Sequence, residues 1–94
     1  MNVIWSIAST GHLQQIDGYL HEESPGGSTV MRRRILQTVR RVSQMPLSGR
    51  VGRIDGTREA VVPRSPFIVV YELAPQTVYI LGVWHAARLW PESF

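Results

Sequence analysis

The residues richest in chemistry lie close together near the end of the chain, in Trp84-His85-Ala86-Ala87-Arg88-Leu89-Trp90-Pro91. An imidazole titrates near neutrality and can act as a general acid. A guanidinium keeps its charge at ordinary pH and grips phosphate or carboxylate through a planar fork. His85 and Arg88 therefore suit the handling of an anion, and Arg58, on a neighbouring strand, is expected beside them. The bland alternative is a polar fringe where a strand meets solvent. Trp84 and Trp90 can stack on nucleobases or anchor a protein contact. For Trp90, packing is the preferred reading.

All positive side-chain charge is arginine: ten arginines and no lysine. That excludes a lysine Schiff base, a Walker lysine and lysine acid–base chemistry. There is no cysteine, so disulfides, thiol nucleophiles and cysteine-containing zinc sites are excluded as well. The histidines, His12, His21 and His85, fall in different elements without ligand spacing, and no metal site is expected. The formal net charge of +3 and a pI near 10.2 suit an anionic partner, either nucleic acid or an acidic protein segment. Arg32-Arg33-Arg34 and Arg40-Arg41 share one helical stretch. Such a run is usually a solvated face, but it can also bind phosphates. Arg33, Arg40 and Arg41 are expected at the rim of a partner interface. Arg50 and Arg53 lie among glycines in a loop and are expected to touch a partner too.

The elements that must position these groups follow from periodicity. Asn2–Ile7 reads as a strand. Ser9 or Thr10 can cap a helix whose apolar stripe is Leu13, Ile16 and Leu20. Pro25 ends that helix and can open the next with Ser24 as its cap, although Ser28 is an equal starting point. The second helix carries Met31, Ile35, Val39 and Val42 on its inner stripe, with Val30 and Leu36 beside it, and stops at Pro46. Leu47–Gly56 reads as a surface loop. Thr57–Val62, Phe67–Leu73 and Thr77–Trp84 read as strands, the last two forming a hairpin around Ala74-Pro75-Gln76. The expected architecture is α+β: one domain over residues 1–94, with an α-helical hairpin on one face of a four-stranded, mostly antiparallel sheet. The opposite face is expected to be open and to carry function. No apolar run approaches the ~18 residues of a membrane span, and no leader pattern opens the chain, so a cytoplasmic protein is expected.

Three pieces in order carry a family resemblance: Gly56-Thr57-Arg58-Glu59 with Val61-Val62; Pro66-Phe67 with Val69-Val70-Tyr71; and the run from Val78 through Ile80-Leu81, Val83, His85 and Ala87-Arg88 to Trp90-Pro91. Together with the helical N-terminal part, they resemble the RelE/ParE superfamily of bacterial type II toxins. The resemblance implies the same layout, a cognate antitoxin that wraps and neutralises the protein, and no cofactor. Its RelE branch comprises ribosome-dependent mRNA endonucleases with an Arg inside the central strand; Ile68 stands at that place here. Arg58, Arg64, His85 and Arg88 are the groups left to compensate as catalytic candidates. The ParE branch poisons DNA gyrase, lacks that Arg and often keeps a His at the position of His85. The chain resembles this branch more, so gyrase inhibition is the first expectation. The alternatives are a RelE-like mRNA endonuclease acting on the ribosome, and a non-toxic protein-binding module. The segment Trp84–Phe94 is expected to leave the sheet as an irregular tail that carries the toxicity.

Overall fold

The computed structural model describes every residue from Met1 to Phe94. The order is β1 (Asn2–Trp5), α1 (Ile7–Glu23), α2 (Pro25–Gln44), β2 (Arg50–Val51), β3 (Arg58–Val61), β4 (Phe67–Ala74) and β5 (Thr77–His85). The sheet runs β1-β5-β4-β3-β2, so the final strand is internal. β1 pairs with β5 in parallel, and every other pairing is antiparallel. The sheet has five strands rather than the expected four, because Arg50–Val51 pairs with Glu59 and Arg58 inside what reads as a loop.

The helices start where side-chain oxygens take up free N–H groups. Ser6, not Ser9 or Thr10, caps α1: its Oγ accepts from Ser9 N at 3.0 Å. Ser9 is buried and turns its own hydroxyl back to the Ser6 carbonyl at 2.9 Å. Between the two possible starts of α2, the structure selects Pro25 at the first position with Ser24 as cap. Ile35, Val39 and Val42 of α2 pack on Ala60, Val62, Val69, Tyr71, Val78, Ile80 and Val83 of the sheet. Val30 and Leu36 face solvent instead, and Thr38 takes an inner position, its hydroxyl returned to the Arg34 carbonyl at 2.9 Å. No helix is long and apolar enough to cross a membrane.

Two local features decide what the last strand presents. Tyr71 pairs with Ile80, but Val70 pairs with Gly82, so Leu81 is an extra residue in β5. A bulge of this kind resets the alternation of side chains. Ile80 and Val83 both reach the helix-side core, and Gly82 and Trp84 turn to the other face. β1 also stops at Trp5, which leaves the outer edge of β5 unpaired beyond Ile80. Helix α1 fills that gap. Ser6 N donates to Ile80 O at 2.9 Å, and His12 Nδ1 accepts from Val83 N at 3.3 Å.

Candidate functional site

The sheet face away from the helices is not open. The chain turns after His85, Ala86 N donates to Pro66 O at 2.8 Å, and residues 87–94 fold back over that face. Gly82 makes room for this: a Cβ there would lie 2.6 Å from the Phe94 ring. Phe94 meets Trp84 edge-on at 5.3 Å, Trp90 at 5.9 Å and His12 at 6.1 Å. The Arg53 guanidinium lies 3.6 Å from the centre of the Trp90 ring. Residues 89–94 make no backbone hydrogen bond, so aromatic contacts and the Arg53 stack on Trp90 hold this strap. The indole N–H groups of Trp84 and Trp90 are buried without acceptors.

Beneath the strap lies the one buried carboxylate, Glu59, 2% exposed. Arg50 reaches Oε1 at 2.9 Å, and Arg53 holds Oε2 through both its side chain, at 3.1 Å, and its backbone N–H, at 2.9 Å. Burial on its own would raise the Glu59 pKa. The hydrogen bonds from Arg53 and Arg50 and the Arg53 charge outweigh it, and the pKa is lowered. Arg50 and Arg53, expected to reach for a partner, are thus engaged within the chain.

Between α1 and the end of β5 lies a cleft of about 200 Å³. Tyr19 and Phe67 supply its aromatic walls, and His12, His85 and Arg88 its polar ones; no carboxylate lines it. Arg88 stacks on Trp84 at 4.3 Å and has no acidic partner. His85 Nδ1 accepts from Ala87 N at 3.0 Å, which leaves its Nε2 side as the donor. His12 is held neutral: burial lowers its pKa, and the nearby Arg88 charge lowers it further. Its Nδ1 already accepts a hydrogen bond, so a proton there would break the contact to Val83. The cleft is therefore electropositive, with two aromatic walls, and suits an anionic group on a partner.

The expected cluster separates on inspection. His85 and Arg88 do come together. Arg58 does not join them, because it pairs with Tyr71, whereas His85 pairs with Phe67 four residues away and one strand further on. Its guanidinium instead donates to Gly49 O at 2.6 Å and to Leu47 O at 3.2 Å. Arg64 sits in the β3–β4 turn next to α2, where Arg34 donates to its carbonyl at 3.0 Å. Ile68 is buried, and the guanidiniums nearest it on its face, Arg50 and Arg53, are neutralised by Glu59. Trp84 and Trp90 form the strap and its seat, while Arg33, Arg40 and Arg41 remain on the outside of α2. Sequence reasoning missed His12, Glu59 and Phe94. A glycine inside a strand, as at Gly82, was the available signal for a close approach.

A solved chain of the chromosomal ParDE toxin–antitoxin system from P. aeruginosa superposes with a TM-score of 0.82 at 19% identity, over 90% of this chain and 95% of that one. The model of the ParE toxins of type II toxin–antitoxin systems matches residues 3–90, and the chain belongs to that family. It is 34% identical over 88 residues to Y4kP of Sinorhizobium fredii, covering 94% of this chain and 91% of that protein. It is 29% identical over 87 residues to toxin RelE2 of Caulobacter vibrioides, covering 93% and 97%. As a type II toxin it has a cognate antitoxin as partner.

Proposed function

We propose that this toxin arrests growth in the cytoplasm by inhibiting DNA gyrase, without cleaving RNA. The observation that supports this reading is the closed sheet face. In-line cleavage of RNA by its 2′-hydroxyl needs a base, an acid and a cation aimed at the developing phosphorane. At the centre of that face stand Ile68 and Val70, both buried, and the two nearby guanidiniums are spent on Glu59. His85 and Arg88 in the cleft are exposed polar groups free to meet a target. Purified toxin is expected to block gyrase supercoiling and to leave translated mRNA intact in a ribosome-coupled assay. Unimpaired supercoiling by a toxin that still arrests growth overturns the proposal.

A second reading, ribosome-dependent mRNA cleavage, draws support from the similarity to toxin RelE2 and from the neighbouring His85 and Arg88. Discrete mRNA cleavage that disappears in His85→Ala would establish it.

A further inference from the structure

Helix α2 carries five arginines and no carboxylate. Only Arg32 has an acidic partner, Asp17 at 3.1 Å. Arg33 and Arg40 lie one above the other on the outer face, seven residues or about 10 Å apart along the axis. Arg34 and Arg41 form a parallel pair beside them. Gln37 stands between the two rows and lines the hollows on both sides. A run of charge on one helix is ordinarily just solvated. Here, however, tertiary structure adds another cation. The β3–β4 turn brings Arg64 against α2, in a left-handed backbone conformation (φ 55) that non-glycine residues seldom take. Arg34 fixes the turn by donating to the Arg64 carbonyl. Arg34, Arg41 and Arg64 thereby surround one concavity of about 260 Å³, completed by Gln37, Thr38 and Pro63, that no acidic side chain lines. Gathering like charges without a counter-charge works against folding, and an anion is what would relieve it.

We propose that this face, Arg33, Arg34, Arg40, Arg41 and Arg64, binds the phosphate backbone of duplex DNA. It shares no residue with the cleft at His85 and does not depend on gyrase being the target. The paired rows present guanidiniums on a rigid, convex helix, as backbone contact to a duplex requires. No aromatic ring lies among them, and stacking platforms are what single-strand binders use. An acidic protein segment is the competing occupant of these guanidiniums, and polyglutamate serves as its probe.

The test is fluorescence anisotropy of the whole purified toxin with a 20-base-pair duplex of arbitrary sequence, titrated at several salt concentrations. Contact with about four phosphates predicts a loss of about a hundredfold in affinity between 50 and 200 mM salt. Arg41→Gln and Arg64→Gln should each reduce the salt slope by about one. Because Arg41 is half-buried, Arg33→Glu/Arg40→Glu at exposed positions serves as a second variant; it should abolish binding with an unchanged melting temperature. Inorganic phosphate should compete only at far higher concentration than the duplex. Absence of duplex binding at 50 mM salt, an unchanged slope in the variants, or tighter binding of a single strand or of polyglutamate overturns the proposal.

Discussion

Glu59 and His12 are the two residues whose pKa the fold lowers below its ordinary value. Glu59 replaces water with arginine donors on both oxygens. Glu59→Gln keeps the shape but removes the charge and turns one acceptor oxygen into an NH2 that faces arginine donors, so the contacts on that side are lost and the others weaken, while Arg50 and Arg53 stay partly hydrated. A loss of about 1–3 kcal/mol is expected, read from urea unfolding. Both groups also predict how stability depends on acid. His12 has a folded pKa below its ordinary 6.5. Its contribution is whole above that value and is lost as pH falls towards the folded pKa, because the unfolded chain takes the proton first. Glu59, lowered from 4.5, contributes above that pH and loses its share as pH falls through its folded value. Unfolding measured from pH 8 to pH 3 should therefore show two descending steps. His12→Gln should remove the upper step, and Glu59→Gln the lower.

At the scale of elements, the sequence was legible wherever local patterns and burial agree. The stripe Ile35, Val39, Val42 and the apolar run Phe67–Leu73 place α2 and β4 because each repeats its period without interruption. The hairpin turn is equally local: Pro75 and Gln76 (φ 56) connect the strands directly. What could not be read depends on single residues whose effect is non-local. The extra Leu81 changes which side of the sheet Trp84 faces, and no alternation count reveals that. The short β2 exists because a distant Glu59 draws Arg50 and Arg53 inward. The strap over the sheet replaces the open face that the sequence suggested, since its anchors are aromatic contacts rather than a periodic pattern. Two substitutions test how it is held. Trp90→Ala removes a half-buried ring and the Arg53 stack, and should cost about 2–3 kcal/mol, below the full range for a buried aromatic. Gly82→Ala should push out Phe94 and press more lightly on His12 Nδ1, 3.2 Å from the added Cβ, so limited proteolysis should trim the C-terminal residues faster while the thermal transition drops less than in Trp90→Ala. If proteolysis is unchanged, Phe94 is not the anchor of the strap.

Across the whole molecule, positive charge is divided between two separate surfaces. One is the cleft where β5 ends, with His85 and Arg88. The other is the outer face of α2, where Arg33, Arg34, Arg40 and Arg41 lie beside Arg64. If target recognition resides in the cleft, toxicity and folding should separate there. His85 is exposed; its imidazole hydrogen-bonds only to the following turn and meets the Phe67 ring edge-on at 5.7 Å, so His85→Ala should cost no more than about 1 kcal/mol. Arg88→Ala also forfeits the stack on Trp84, and should cost about 0.5–1 kcal/mol. Neither loss is large enough to unfold the protein, so reduced growth arrest in either variant would report lost contact with the target. The double variant is expected to abolish arrest while still binding antitoxin, whose expected rim, Arg33, Arg40 and Arg41, lies on α2. Growth assays under induced expression, paired with melting temperatures of the purified variants, decide the matter. Full toxicity in the folded double variant would remove the cleft from the mechanism and leave the face of α2 as the surface through which this toxin meets its target.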